Sequence, residues 1–583
     1  MSGEYPEPPT TDWADLALLS EAEDPEDFRD LWGIVTDEEN WKRIQRMLLV
    51  EGDYEDRPEE APFDGAKFHA TDINVVFSWD EDGGEWTPLN TGTEEDPVPG
   101  TSHFETLTTE ELNSTLWTTL GDGIDTANKD IASLENGGQA NVYGQQTEDK
   151  SLTVSKDNID LSGSGPETMV EHPADAESVF IILVEGEEDN RVEYVTVSNI
   201  RAEAADGSEL TEGIELDEAD KCSVAGVLSG KNDGHKNADG IDLDNNRHCL
   251  VFGSHTYENG QDGVHVSFNT QDNTVLGNFS HADGRHPDTQ PGGFGVRDDD
   301  TERNLFLANV STDSGNNAFR QYAGATDNQF GFNRAINPSG YGIRIDDPGA
   351  QVVGHLVDSP GKDGVHVDAD DVTLSHISIL DGDGRGVFFQ SGLATASHIV
   401  ARGNAKEGVR TSSAAGGSRI THVTVETDDD GVRVAGDGMR LDNAYAVSAT
   451  QGTGSGIHIG PGDGSVIRDV ESVGFWRGVD IRGANDVVVE GVKTTNCTNG
   501  VKIEDDCSNI RLSNLEFFDC DTDIDDDGTR TLINGRGNNE GDPSSTGEWN
   551  AHADYAEDYD ATIYDTANDD LYKAVGGSWV QIN

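Results

Sequence analysis

The stretch GKDGVHVDADDVTLSHISIL (361–380) decides the fold. Gly-Val-His-Val alternates, so Val365 and Val367 share one side of an extended strand and His366 takes the other. After an Asp-Asp turn the run VTLSHISIL alternates again, without the 3.6-residue rhythm of a helix. A near-copy, GQDGVHVSFN, stands at 260–269. From there the motif, Gly followed by alternating apolar residues, extends both ways. It begins at 213, 240, 263, 295, weakly at 318, then at 342, 364, 386, 408, 431, 456, 478, 500 and, degenerately, at 523.

Most gaps are 22–25 residues, and the longest, from 263 to 295, is 32. A short period that contains strands and turns but no helix is the signature of a parallel β-solenoid. With coils stacked about 4.8 Å apart, fourteen copies make a rod of roughly 65 Å. IASLENGGQANVYGQQTEDKSLTVSKDNIDLSGSG (131–165) reads as the opening coils.

The expected organisation has six parts. Residues 1–60 form a helical anchor, with Thr36 and Glu39 as a capping box ahead of NWKRIQRMLLV. A small β module fills 61–100, a linker 101–130, the solenoid 131–535, a second linker 536–560 and a hairpin cap 561–583. GAKFHATDINVVFSWDEDGGEWTPLN (65–90) and ATIYDTANDDLYKAVGGSWVQIN (561–583) share one outline, an aromatic-rich strand, a Gly-Gly turn and Trp-x-x-(Leu/Ile)-Asn.

The 583 residues carry 113 Asp and Glu against 38 Lys and Arg, a formal net charge of −75. Acid spread along the whole chain suits a salt-loving protein, because at molar salt the Debye length falls to about 3 Å and self-repulsion is screened. So few cations argue against nucleic acid as a partner. The first residues, MSGEYPEPPTTDW, have neither the basic start nor the apolar core of a signal peptide, and no membrane insertion is expected. Cys222, Cys249, Cys497, Cys507 and Cys520 include no C-x-x-C. Cys222/Cys249 and Cys497/Cys520 fall one coil apart, as stacked thiols or as disulfides. No cofactor or metal is expected; the Asp-rich turns at 298–302 and 521–529 are too unspecific to assign to calcium.

The outward residue of each motif, followed up the stack, gives His265, Arg297, Arg320, Arg344, His366, Phe388, Arg410, Arg433 and His458. Eight of these nine are cationic types in a chain whose carboxylates outnumber Lys, Arg and His two to one. Glu215, Asp242 and Asp480, beyond the run, follow the background. Like charges on adjacent strands repel, so the column needs a partner. Three are open: carboxylates of the same chain such as Asp346, Asp347 and Asp368, an acidic face of another subunit, or an extended anionic ligand such as an acidic glycan. The loop GRHPDTQPGGFGV (284–296) fills the longest gap and is a candidate for the working face.

The coil period, NADGIDL (237–243) and strands such as DVTL (371–374) resemble the right-handed parallel β-helix of the pectate-lyase-like superfamily. That resemblance implies an all-β fold but no single activity. NADGIDLD is similar to an Asn-Thr-Asp-Gly element of polygalacturonases, which matches Asn237 and Asp239 here. Gln261-Asp262 matches the next-coil acid pair by half, SHADGRH (280–286) departs from the family's Gly-His-Gly, and no Arg-x-Lys follows. The resemblance thus implies Asp239 and Asp262 as an acid pair for an alternative, enzymatic reading, while Asp-Gly is equally a turn dipeptide. The terminal modules and the spacer GRGNNEGDPSSTGEWN (535–550) resemble tail-fibre and spike proteins of tailed viruses. This resemblance implies a homotrimeric virion appendage of a haloarchaeal virus, held to other virion proteins by its N-terminal region and binding a host surface glycan or glycoprotein.

Overall fold

The computed structural model describes residues 115–534, apart from 135–137, 166, 174–179, 188–189, 206–211, 232–237, 287–291 and 530, together with strands at 49–52, 67–70, 75–80, 85–88, 562–565, 570–575 and 578–581. The solenoid is three-sided. Face A carries the Gly-apolar motif, and face B follows after a turn. A single corner residue then leads to face C, and a second turn returns the chain to face A one coil up. Face A stacks sixteen parallel strands, from Leu152–Val154 through Val264–Ser267 and Val365–Asp368 to Thr522–Asp526.

The B-to-C corner bends at one residue in the left-handed region, with φ of 58° at Gly253, 54° at Ala308 and 55° at His376. Where no glycine stands there, one-residue strain is repeated coil after coil, and the stacked neighbours hold it in place. The three imidazoles His376, His398 and His422 stack on one another at this corner, 4.4 and 4.7 Å apart.

Inward residues fill the core. Phe294 stacks on Phe319 and Phe306 on Phe330, each pair with ring centres 5.0 Å apart. Buried turns are satisfied by two asparagine ladders, Asn273–Asn304–Asn328 ahead of face B and Asn278–Asn309–Asn333 at the B-to-C corner. In each step one amide oxygen accepts both the backbone and the side-chain N–H of the asparagine below it, at 2.8–3.2 Å. Neither cysteine pair is a disulfide; all five thiols are free, and Cys222, Cys249, Cys497 and Cys507 are buried.

Three expectations need correction. Residues 101–130 are not simply a linker, since Thr115–Thr119 pairs in parallel with Gln139–Tyr143 and helix α1 (Ile124–Ser133) follows it. Among the described residues no full coil lies beneath the first, and α1 contributes Ile124, Ala127 and Ile131 to the core there, the i, i+3, i+7 stripe of one helix face. Its first turn is held by Glu148, which accepts the Ile124 N–H at 3.0 Å. Second, the run NWKRIQRMLLV ends as strand, because Leu49–Gly52 pairs in parallel with Lys67–Ala70. Pairing overrides helix propensity here; Thr36 and Glu39 lie outside the described residues. Third, the terminal modules are sheets rather than hairpins: Leu49–Gly52, Lys67–Ala70, Val75–Asp80 and Glu85–Pro88 make a four-stranded sheet whose last three strands are antiparallel, and Thr562–Asp565, Asp570–Val575 and Ser578–Gln581 make a three-stranded antiparallel one. In the described residues no helix is long and apolar enough to cross a membrane.

A buried acid at the C-to-A turn links packing to pH. Asp283 accepts hydrogen bonds from Thr256 (2.8 Å), Ser280 (2.7 Å) and Asn259 (2.9 Å), and burial pushes its pKa up to about 7. The folded state therefore keeps a proton that the unfolded chain releases near pH 4, so its contribution to stability falls as pH rises from about 4 to about 7, by up to about 1.4 kcal/mol per pH unit. Asp283→Asn is expected to lose this slope. Parallel denaturation curves at pH 5 and 7 check it, and an unchanged difference between the two pH values in the variant would contradict the assignment.

Candidate functional site

Face A brings most of the cationic column into register. Asp242 lies beside His265, Arg320 beside Arg344, Arg344 beside His366, His366 beside Phe388, Phe388 beside Arg410, Arg410 beside Arg433, and Arg433 beside His458. Phe319 is buried, which turns Arg320 outward.

Arg297 is not in the column. The strand above His265 is Gly292–Val296, and His265 pairs with Gly295. The motif copy is thus GFGV at 293, not GVRD at 295. The reason is steric: a Cβ at Gly295 would stand 2.5 Å from Asp262 Oδ2, so the Asp262 carboxylate fills the space where a column side chain would be. Arg297 lies just past the strand and reaches back to Asp262 at 3.6 Å, with its guanidinium 4.9 Å from the Tyr322 ring centre. Gly295→Ala is expected to cost about 1–3 kcal/mol by overpacking. Chemical denaturation checks this, and an unaltered midpoint would put Asp262 elsewhere.

The column is largely covered and neutralised from within. Where an acid stands ahead of the motif glycine, at 239, 262, 363, 407 and 430, it folds over the face, although sequence treats it as a turn residue. Its first oxygen accepts the N–H of the next coil's turn: Asp239 from Asp262 (2.6 Å), Asp262 from Gly292 (2.6 Å), Asp363 from Arg385 (2.9 Å) and Asp430 from Ser455 (2.8 Å). The second oxygen meets a column cation. Asp363 lies 3.1 Å from His366, Asp430 2.9 Å from His458 and Asp239 3.3 Å from His265, while Glu407 takes the same place 2.8 Å from Arg410. Asp346 serves two cations at once, Arg320 at 2.7 Å and Arg344 at 2.6 Å. Phe388 is flanked by the guanidiniums of Arg385 and Arg410, 4.3 and 5.5 Å from its ring centre. Asp347 and Asp368 bind backbone and neutral side chains instead. Although burial opposes it, His366 holds the Asp363 carboxyl below the usual carboxylate range, and His458 does the same to Asp430.

Arg433 differs. It is half-buried, and among the described residues no carboxylate lies within ion-pair distance of it; its charge is felt only at longer range, by Asp429 and Asp430. Aromatic rings border the same stretch of face. Tyr341 lies 5.6 Å from the Arg344 guanidinium and 4.9 Å from the Lys362 amine, and the exposed Trp476 lies 4.2 Å from Arg477.

Below Arg320 the face turns acidic. Glu215 pairs with Asp242, which pairs with His265, and Asp239 and Asp262 come in from the turns. Burial raises these acids: Asp239 to about 6, Asp244 to about 8, Glu212 to about 10 and Glu215 to about 11, with Asp262 also raised. Against burial and the Arg297 charge, Asp239 and Asp242 hold the His265 pKa well above the usual imidazole value. The C-to-A turns beside this cluster are long, ten residues at 231–240 and 282–291 against six at 337–342, 359–364 and 381–386. Asn237 and residues 287–291 of the candidate loop lie outside the described residues; Gly292–Val296, its other end, is the face A strand.

Residues 212–368 match the family model described as a right handed beta helix region. The solenoid is a right-handed parallel β-helix. Solved structures with this architecture include the A-module of mannuronan C-5 epimerase AlgE4 from Azotobacter vinelandii (14% identity, TM-score 0.30, covering 71% of this chain and 94% of that one). Others are ORF18 of Geobacillus virus E2 (12%, 0.30, 75% and 72%) and the pre-mature bacteriophage phi29 gene product 12 (13%, 0.43, 69% and 55%). These likenesses are of fold. No curated protein matches the chain.

Proposed function

We propose that this β-helix is the shaft of a virion appendage from a haloarchaeal tailed virus, and that it binds an acidic host-surface glycan along face A between Tyr341 and Trp476. The observation that carries the binding site is Arg433. A guanidinium without a carboxylate partner among the described residues, in a chain with 113 acidic residues, is matched to an anion from outside. Guanidinium suits the carboxylates and sulfates of acidic sugars in bidentate geometry, and flanking aromatic rings suit sugar faces. The acidic composition supports a high-salt origin, and the small sheets at 49–88 and 562–581, each with three antiparallel strands, support attachment roles.

The appendage is a homotrimer in this reading. Outward apolar residues follow one another on both sides of the B-to-C corner, Phe252, Leu276 and Leu307 on one and Phe279 and Val310 on the other, with Phe252 46% and Phe279 38% exposed. Sedimentation in molar KCl tests it: a mass of three chains supports the trimer, and a single chain contradicts it.

The test of function is equilibrium binding of acidic envelope polysaccharide in molar KCl. Arg433→Ser is expected to weaken binding tenfold or more without loss of fold, since the residue makes no ion pair that folding needs. Equal binding by the variant would overturn the site. A second reading, a carbohydrate-active enzyme, is favoured by one observation: Asp239 and Asp262 sit on successive coils, the Asp239 carboxylate accepting the Asp262 backbone N–H, and both carboxyls have raised pKa values. Such an acid pair can share general-acid and general-base roles. Release of oligosaccharides in the same samples, lost in Asp239→Asn, would favour that reading.

A further inference from the structure

We infer that Asp239, Asp242 and His265 form a binding site for one divalent first-row transition cation of the Zn²⁺ or Mn²⁺ class. The two aspartates belong to one coil and the histidine to the next. Asp242 is the outward residue of its face A strand, in register beneath His265, and Asp239 enters from the turn two residues ahead of that strand. His265 Nδ1 lies 3.0 Å from Asp242 Oδ1 and 3.3 Å from Asp239 Oδ2. Two donors each about 2.1 Å from a shared cation, at angles of about 90–105°, stand about 3.0–3.3 Å apart, so the spacing is that of neighbouring ligand atoms.

The second observation is the state of these donors. Asp242 Oδ1 and both ring nitrogens of His265 are buried without a hydrogen-bond partner, in side chains only 7% and 4% exposed. The close contacts between them lack hydrogen-bond geometry. Buried polar atoms ordinarily find partners, and an orphan is costly. A cation between them satisfies Asp242 Oδ1 and His265 Nδ1 in one step. Asp239 is already aimed: its Oδ1 accepts the Asp262 N–H and its Oδ2 the Gln261 amide at 3.0 Å, the outer support that metal ligands commonly have.

Charge and donor type select the ion. Two carboxylates balance a 2+ charge, and Glu215, directly beside Asp242 on the coil below, leaves an acidic surround that a cation relieves. An imidazole nitrogen favours Zn²⁺, Co²⁺ or Mn²⁺ over Ca²⁺ and Mg²⁺, which prefer all-oxygen sets. This site lies apart from Arg433, and it stands or falls independently of glycan binding.

The full-length protein, stripped with chelator and held in molar KCl, is titrated with Co²⁺ and followed by visible absorption. Expected is one equivalent giving ligand-field bands, displaced by Zn²⁺ but not by a hundredfold excess of Ca²⁺. His265→Gln and Asp242→Asn, each checked for fold by circular dichroism, are expected to weaken Co²⁺ binding tenfold or more. Asp437→Asn, an exposed acid on a distant turn, is expected to leave it unchanged. Absence of the bands, displacement by Ca²⁺, or equal binding by both site variants would overturn the inference.

Discussion

Asp346→Asn is expected to destabilise the β-helix by about 3–5 kcal/mol, the largest effect of any single charge on face A. One carboxylate holds two guanidiniums of adjacent strands, Arg320 at 2.7 Å and Arg344 at 2.6 Å. All three side chains are mostly buried, and removing the shared partner leaves two like charges side by side in a poorly solvated place. Asparagine keeps the shape and removes the charge, so the loss reports electrostatics rather than a cavity. Adding Arg320→Gln to the variant relieves the repulsion and is expected to recover part of the loss. Asp347→Asn, next in sequence but bonded to a backbone N–H rather than a column cation, is expected to cost less. Urea denaturation in molar KCl measures all four proteins, and equal stability of Asp346→Asn and the parent would show that the column does not depend on its own carboxylates.

The second large effect lies in the asparagine ladders. Asn309 donates to the Val275 carbonyl at 2.8 Å and to Asn333 Oδ1 at 3.2 Å, while its own Oδ1 accepts the backbone and side-chain N–H of Asn278. Asn309→Ala leaves the Asn278 backbone and side-chain N–H and the Val275 carbonyl on the coil below without this partner and takes one of two bonds from Asn333 on the coil above, and at about 1–3 kcal/mol for each unsatisfied group a loss of about 3–5 kcal/mol is expected. Because coils interact mainly with their neighbours, the damage is expected to be local. Amide hydrogen exchange would quicken first around 275–335, with coils beyond 400 unchanged. Asn337→Ala, at an exposed residue whose side chain bonds Asp313, is the control.

Much of this architecture was legible because the solenoid repeats. Fourteen copies of one alternating motif expose coil length, face and inward residues together, and an error in one copy is outvoted by its neighbours. The displaced copy at 293 shows what repetition cannot decide. GGFGVRD contains two Gly-apolar readings that differ by two residues, and a shift of two keeps every side chain on its own face. Alternation is therefore blind to it; Phe294 stacking on Phe319 and the space needed by Asp262 settle the register.

What was hidden is what occurs once or depends on folding over. Helix α1 has no repeat to announce it, though Ile124, Ala127 and Ile131 carry its spacing. The acids ahead of the motif glycines at 239, 262, 363, 407 and 430 were visible as turn residues. Their second role, reaching across the face to a cation (a column member for all but Asp262, which meets Arg297), follows from how the turn closes against the next coil. Pairing inside the molecule turned an open stripe into a covered one, and left Arg433 as its exception.

The most direct measurement is native-state arginine modification by phenylglyoxal in molar KCl, with sites assigned by mass spectrometry. Expected is fast reaction at Arg433, slow reaction at Arg320, Arg344 and Arg410, and protection of Arg433 when acidic polysaccharide is added. Equal reactivity of all four arginines, or an Arg433 that the polysaccharide leaves unprotected, would contradict a column neutralised from within and open to an outside anion at one position.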